Sequence, residues 1–276
     1  MERFRGRVVF ITGASSGIGA ALARRFAAER ADVVLAARRM GRLQALARDL
    51  EAGGTRALAV ACDVTRDEHM ERAAARARET FGRIDVVVAN AGFGVVGPIE
   101  RLTIDDYRRQ FETNVFGVLR TIYATLEDLA RTRGRLVLIG SVMGHLSMPG
   151  ASPYAMSKWA VRALAKALVH ELRPRGIAVV HISPGAVVSE LRQVDNHGVL
   201  RTDVDDPLPR WLRMPTDRAA RQIVDAVAGR RSERVITRLG KLAVAVEHHA
   251  PPLLSLAIRA LGARSRREPS GARVGS

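Results

Sequence analysis

The chain has almost no cysteine: among its 276 residues only Cys62 is present, so no disulfide can form within it. A lone thiol suits a reducing compartment, and a cytoplasmic location is the expectation. Aromatic residues are also scarce, at 4% against 47% for all apolar types, so aliphatic side chains must fill the core. No uninterrupted apolar run approaches the roughly 18 residues that a membrane span requires. No apolar leader opens the chain either, because Arg7 to Thr12 already read as a strand. Acidic residues are outnumbered 28 to 44, which leaves a formal net charge of +16. The basic residues are nearly all arginine and are scattered through the helical stretches. With no zinc-finger spacing and no aromatic platform for base stacking, nucleic-acid binding is not expected.

What is present is a regular alternation of strand and helix. Val8 to Thr12, Asp32 to Ala36, Ala57 to Ala61, Ile84 to Ala89, Arg135 to Gly140 and Ile177 to Ser183 are mostly continuous apolar runs. Runs of this kind suit strands buried on both faces of a parallel sheet. Helical stretches separate them: Gly17 to Glu29, Arg42 to Glu51, Asp67 to Phe81, Ile104 to Arg131 and Ser152 to Leu172. The pattern predicts an α/β fold, a doubly wound and mostly parallel sheet with helices on both faces. One domain is expected over residues 1–238, with a helix from Thr216 to Ala228 near its end. Residues 239–276 form a C-terminal extension, polar from Arg264 and expected to be disordered there.

The first strand runs into Thr12-Gly13-Ala14-Ser15-Ser16-Gly17-Ile18-Gly19, which opens the first helix. Glycines permit a tight turn and close approach of backbone to a ligand, and a helix start suits a pyrophosphate. The spacing is Gly-x-x-x-Gly-x-Gly rather than the commoner Gly-x-Gly-x-x-Gly, and its place between strand and helix carries the dinucleotide reading. An NAD site usually has an acidic residue at the end of the second strand. Here the chain reads Ala36-Ala37-Arg38-Arg39, and guanidinium groups match a 2′-phosphate, so NADP(H) is the expected cofactor. Asp63-Val64 and Asn90-Ala91-Gly92 follow the third and fourth strands, where such sheets bind ligands.

Tyr154 and Lys158 are four residues apart in a helical stretch and so share one face. An ammonium beside a phenol lowers the phenol pKa from about 10 and prepares it for acid–base work. Ser141 ends the fifth strand and can aim a hydroxyl at the same substrate oxygen. Asn114 lies inside a long helix although Asn is a poor helix former, a local inconsistency of the kind that functional sites show.

Taken together, these motifs resemble the short-chain dehydrogenase/reductase family. The matching residues are Thr12-Gly13, Gly17-Ile18-Gly19, Asn90-Ala91-Gly92, Asn114, Ser141, Tyr154, Lys158 and Pro184-Gly185, in the family's order over about residues 5 to 238. The resemblance implies a seven-stranded sheet, the last strand near Arg234 to Thr237. It implies that Tyr154 is the general acid in reduction and the base in oxidation, and that Ser141 bonds the substrate oxygen. Lys158 would bind the nicotinamide ribose, and Asn114 would hold a water linking Lys158 to solvent. Gly13, Ser15, Ser16, Gly17, Ile18 and Gly19 would meet the pyrophosphate, and Asp63 and Val64 the adenine. Asn90, Ala91 and Gly92 would support the cleft, and Pro184, Gly185 and Val187 would shape its nicotinamide end. Ser189 stands where the family usually has Thr. Ser16 stands where some NADP-dependent members have a basic residue, which leaves phosphate recognition to Arg38 and Arg39. A homodimer or homotetramer, paired through the helices of Asn114 and Tyr154, is also implied.

The substrate is expected to be a hydrophobic ketone or secondary alcohol. The substrate loop would span about residues 190–214, with Leu191, Val194, Val199, Leu200, Leu208, Trp211, Leu212 and Met214 as an apolar lid. Phe93, Met143 and Leu146 would join from other loops, and His145 reads as a solvent-facing loop histidine. No metal is expected, because His248-His249 has no third ligand nearby. Leu242 to Val246 and Leu253 to Leu261, flanked by Lys241, Arg259, Arg264, Arg266 and Arg267, suggest a tail for peripheral membrane contact. A non-catalytic NADP(H)-binding sensor is the alternative function.

Overall fold

In the computed structural model, which describes residues 2–201, 203, 206, 208–256 and 258, seven strands form one sheet. They are β1 (Val8–Thr12), β2 (Asp32–Ala37), β3 (Ala57–Ala61), β4 (Val86–Ala89), β5 (Arg135–Ile139), β6 (Ala178–Ser183) and β7 (Glu233–Val235). All pairs are parallel, in the order β3-β2-β1-β4-β5-β6-β7. The helices are α1 (Gly17–Ala28), α2 (Met40–Ala52), α3 (Asp67–Phe81), α4 (Ile104–Phe111), α5 (Gly117–Thr132), α6 (Ser152–Glu171), α7 (Thr216–Ala228) and α8 (Arg238–His249).

The apolar strands explain the layers. Side chains alternate across a strand, so Val9 and Ile11 of β1 pack with α1, α2 and α7 on one face. Val8 and Phe10 pack with α3, α5 and α6 on the other. Winding reverses between β1 and β4, which are neighbours in the sheet although two strands intervene in the chain. That reversal opens a crevice at the carboxyl ends of the two strands.

Two local departures from the expected elements have physical causes. The long helix expected over Ile104 to Arg131 is broken by a π-helical turn, Glu112–Phe116, with Asn114 buried at its centre. The last strand ends at Val235, earlier than expected. The Thr237 hydroxyl accepts from Gly240 N (3.2 Å) and starts α8 there.

The C-terminal extension begins as structure. Gly240 is buried; a Cβ there would lie 2.7 Å from the Val142 side chain. A break at Ala250 precedes Pro251, and residues 251–256 are helical again. Leu239, Leu242, Leu253 and Leu256 are exposed. Among the described residues no helix is long and apolar enough to cross a membrane. The stretch from Arg264 that was expected to be disordered lies outside the described residues, as do Arg259, Leu261, Arg266 and Arg267.

Candidate active site

The crevice between β1 and β4 is held by one hydroxyl and one amide. Thr12 Oγ1 donates to Val88 O (3.3 Å) and accepts from the N–H groups of Asn90 (3.0 Å) and Ala91 (3.2 Å). Asn90 Nδ2 donates to the carbonyls of Thr12 (2.9 Å) and Gly13 (3.2 Å). The turn thus fixed leaves no room for side chains. A Cβ on Gly13 (φ +67) would lie 2.8 Å from Ala91 Cα, and one on Gly19 would lie 2.3 Å from Gly13 O. Ser16 precedes α1 without a side-chain bond to its first turn, so the helix start is open to an anion.

A cleft of about 630 Å³ runs along the strand ends. It is lined by Gly13, Ser15, Ser16, Gly17, Ile18, Arg38, Arg39, Asp63, Val64, Asn90, Ala91, Gly92, Ser141, Tyr154, Lys158, Pro184, Gly185, Val187 and Ser189. Of the expected site residues, Gly19 and Asn114 stand behind the wall. Gly19 is buried and lets α1 pack under the Gly13 turn. The glycine cradle, the open helix start and the arginines fit a dinucleotide.

On the β2 side, Arg39 reaches deeper than Arg38. Its guanidinium donates to Ser15 Oγ (3.0 Å), Ser16 Oγ (2.7 Å) and Glu190 Oε2 (2.8 Å). Arg38 is exposed and reaches Gly198 O at 3.4 Å. Arg42, in the first turn of α2, donates to Glu190 Oε1 at 2.6 Å. Burial would raise the Glu190 carboxyl, but bonds from Arg42 and Arg39 outweigh it and hold the pKa below the usual value. Neither Arg42 nor Glu190 was expected. Arg42 lies three residues after Arg39, a helical spacing that could have flagged it; Glu190 arrives from a distant loop. Asp63 closes the turn after β3 by accepting from Thr65 N (3.0 Å) and Thr65 Oγ1 (2.8 Å).

On the β5 side, Ser141 and Tyr154 line the same stretch of the cleft, and the Ser141 hydroxyl acts to lower the Tyr154 pKa. Ser141 Oγ also accepts from Met143 N (3.1 Å), which fixes the hydroxyl. Lys158 is buried; its Nζ donates to Ile139 O (2.9 Å) and lies 5.7 Å from the centre of the Tyr154 ring. The expected lowering of the Tyr154 pKa by Lys158 is not what this arrangement produces. Burial raises it, the Ser141 hydroxyl and the charge of Arg192 offset this only in part, and the phenol is protonated at neutral pH. Burial also brings Lys158 down from 10.5 to about 8.

Asn114 acts from behind. Its Oδ1 accepts from Phe93 N (3.1 Å), and its Nδ2 donates to Phe93 O (3.0 Å) and Ser157 Oγ (3.1 Å). It therefore braces the loop after β4 against α6. Gln110, one helical turn earlier, continues the brace by accepting from Val95 N (2.6 Å) and donating to Phe93 O (2.9 Å). Gln110 and Ser157 were not expected; the four-residue spacing of Gln110 and Asn114 was the available signal.

The loops depart from expectation in three places. His145 is not solvent-facing: it is buried, with Nε2 2.9 Å from Ser183 Oγ, and burial first and Arg162 second bring its pKa down to about 4. Of the expected lid, Leu191, Val194 and Leu200 line the cleft with Phe93. Trp211 is 82% exposed, Met214 packs on the core and pairs with Val187, and Leu146 is buried.

Comparison with known proteins gives a consistent picture. The family model described as short chain dehydrogenase matches residues 7–199. An uncharacterised oxidoreductase of Methylorubrum extorquens is 38% identical over 69% of this chain and 77% of its own. An A-factor type gamma-butyrolactone 1′-reductase (1S-forming) of Streptomyces virginiae is 37% identical over 83% of this chain and 89% of its own. Among solved structures, an alcohol dehydrogenase from Thermococcus sibiricus complexed with 5-hydroxy-NADP superposes with a TM-score of 0.71. It is 30% identical and covers 83% of this chain and 95% of that one. A short chain dehydrogenase/reductase from Burkholderia phymatum in complex with NAD gives 0.81, at 26% identity, over 92% and 96% of the two chains.

The buried ammonium has a measurable consequence. With Lys158 at about 8 when folded and 10.5 ordinarily, the unfolded chain binds more protons between those values. Stability from this group therefore rises as pH climbs through that window. Lys158→Met should make the cofactor-free chain more stable at pH 7 by about 1–2 kcal/mol, with the gain shrinking towards pH 10.5. Denaturant unfolding across that range checks this; a variant less stable than the wild type at pH 7 contradicts it.

Proposed function

Because the chain belongs to the short-chain dehydrogenase family, whose members are oxidoreductases of alcohol and carbonyl groups, we propose that it is an NADP(H)-dependent enzyme that reduces a ketone or oxidises a secondary alcohol of a hydrophobic small molecule. The observation that carries this is the Ser141–Tyr154 hydroxyl pair over buried Lys158, in the same cleft as the open start of α1 and Arg39. Bound NADPH supplies the hydride. Ser141 and Tyr154 hold the carbonyl oxygen between their hydroxyls. Tyr154, protonated at neutral pH, gives its proton to that oxygen as negative charge develops there. In the oxidative direction the phenolate takes the proton back from the alcohol. Asn114, Gln110 and Ser157 keep the cleft wall in place.

The apolar lining of Phe93, Leu191, Val194 and Leu200 supports a hydrophobic substrate. Similarity to a gamma-butyrolactone reductase supports reduction of a carbonyl. The cofactor choice rests on the β2 side. The strand ends in Ala36-Ala37 without a carboxylate, and Arg39 stands between Ser15 and Ser16, with Arg38 and Arg42 beside it. A panel of hydrophobic ketones, followed by loss of NADPH absorbance, tests the activity. NADPH should bind more tightly than NADH, and Arg39→Ala should cost NADPH binding about 1–3 kcal/mol while sparing NADH. Equal dissociation constants in the wild type contradict the assignment.

We propose further that two copies pair through α5 and α6. Phe116, at the end of the π-helical turn, and Tyr123 of α5 are exposed seven residues apart, and Met156, Trp159, Ala163 and Ala167 form an exposed stripe on α6. An apolar stripe with small residues is self-complementary about a two-fold axis. Light scattering at micromolar concentration should report a dimer or tetramer, and Trp159→Glu should shift it towards monomer. A monomeric wild type contradicts this pairing.

A further inference from the structure

Both oxygens of Glu190 are held by arginines of the cofactor cleft, Oε2 by Arg39 at 2.8 Å and Oε1 by Arg42 at 2.6 Å. Glu190 directly follows Ser189, whose Cβ would lie 3.2 Å from a Cβ on Gly17. The segment behind it crosses the cleft and is tied down on its far side. Asn196 Oδ1 accepts from Val96 N (3.0 Å), and Asn196 Nδ2 donates to Val96 O (2.9 Å). Arg38 meets the same segment at Gly198 O. The two arginines expected to hold a 2′-phosphate, and the third found beside them, are therefore all engaged by residues 190–198.

We propose that Glu190 is a specificity gate: its carboxylate occupies the Arg39–Arg42 pair that recognises the 2′-phosphate, and only a cofactor carrying that phosphate displaces it. This rests on the NADP(H) reading above. The exchange is chemically matched. A phosphate monoester brings a charge of roughly −1.5 to −2 and three acceptor oxygens, against one charge and two oxygens for the carboxylate. The side chains of Glu190, Arg39 and Arg42 are 27%, 38% and 45% exposed, so the ion pairs are open to water and weak enough to exchange. Arg39 also bonds Ser15 and Ser16, which keep its guanidinium aimed at the subsite once Glu190 leaves. The ribose hydroxyls of NAD(H) carry no charge, so NAD(H) leaves Glu190 on its arginines.

Calorimetric titration of the full chain with NADPH and with NADH tests the gate. Glu190→Gln should tighten NADPH binding about three- to tenfold and leave NADH binding essentially unchanged. Arg42→Gln should weaken NADPH alone. A Glu190→Gln variant that binds NADPH no better overturns the gate. One that loses NADH binding also overturns it, and makes Glu190 an acceptor for ribose hydroxyls. Hydrogen exchange on the wild-type chain gives a second readout that needs no variant. Adenosine 2′-phosphate should speed exchange of residues 190–198, whereas adenosine 5′-phosphate should not; equal response to both overturns the gate. The underlying reading fails separately: wild-type NADPH and NADH affinities would then be equal, and Arg39→Gln would weaken neither.

Discussion

The amide of Asn90 donating to the carbonyls of Thr12 and Gly13 is the contact on which the site depends. It ties the end of β4 to the end of β1 where the winding of the sheet reverses. The backbone ladder holds the two strands together, and the amide anchors the Gly13 turn beyond its end. The glycines follow from it, because a turn pulled onto its neighbour at 2.8 Å tolerates no Cβ. The open start of α1 follows in turn, since Gly19 lets the helix seat itself beneath Gly13. Thr12 completes the junction by using its one hydroxyl three times.

A second frame of buried polar groups stands behind Ser141, Tyr154 and Lys158. Asn114, Gln110 and Ser157 hold the loop after β4, and His145 with Ser183 holds the segment between Ser141 and Pro184 from behind. Each of these side chains is hydrogen-bonded, as burial of polar atoms requires. Lys158 is the exception in energetic terms. Its ammonium is buried with Ile139 O as its hydrogen-bond partner, and burial brings its pKa down to about 8. Such a cost is typical of groups kept for chemistry rather than for stability.

Most of this was legible in the sequence because it was written locally. Continuous Val and Ile runs announce buried parallel strands, and Gly13, Gly17 and Gly19 sit within one turn. Tyr154 and Lys158 are set at a helical spacing. Asn114 was visible as a poor helix former, but the π-helical turn around it was not, since widening by one residue leaves no mark in composition. Glu190 meets Arg39 and Arg42 from 151 and 148 residues away, and no local pattern encodes a contact of that range. His145 was misplaced for the same reason: its partner Ser183 is 38 residues distant on another strand. The lid was legible as apolar but not as to direction, because irregular loops lack the periodicity that tells inward from outward side chains.

The central claim is that Tyr154 passes a proton to the oxygen of a carbonyl that accepts hydride in this cleft. The most direct measurement uses NADPH deuterated at the nicotinamide C4 position and an accepted ketone, with mass spectrometry of the alcohol formed. The wild type should place one deuterium on the carbinol carbon. Tyr154→Phe should bind NADPH with about the same affinity, because the ring remains, yet transfer label at least about a hundredfold more slowly. Label transfer by Tyr154→Phe at the wild-type rate would contradict the account.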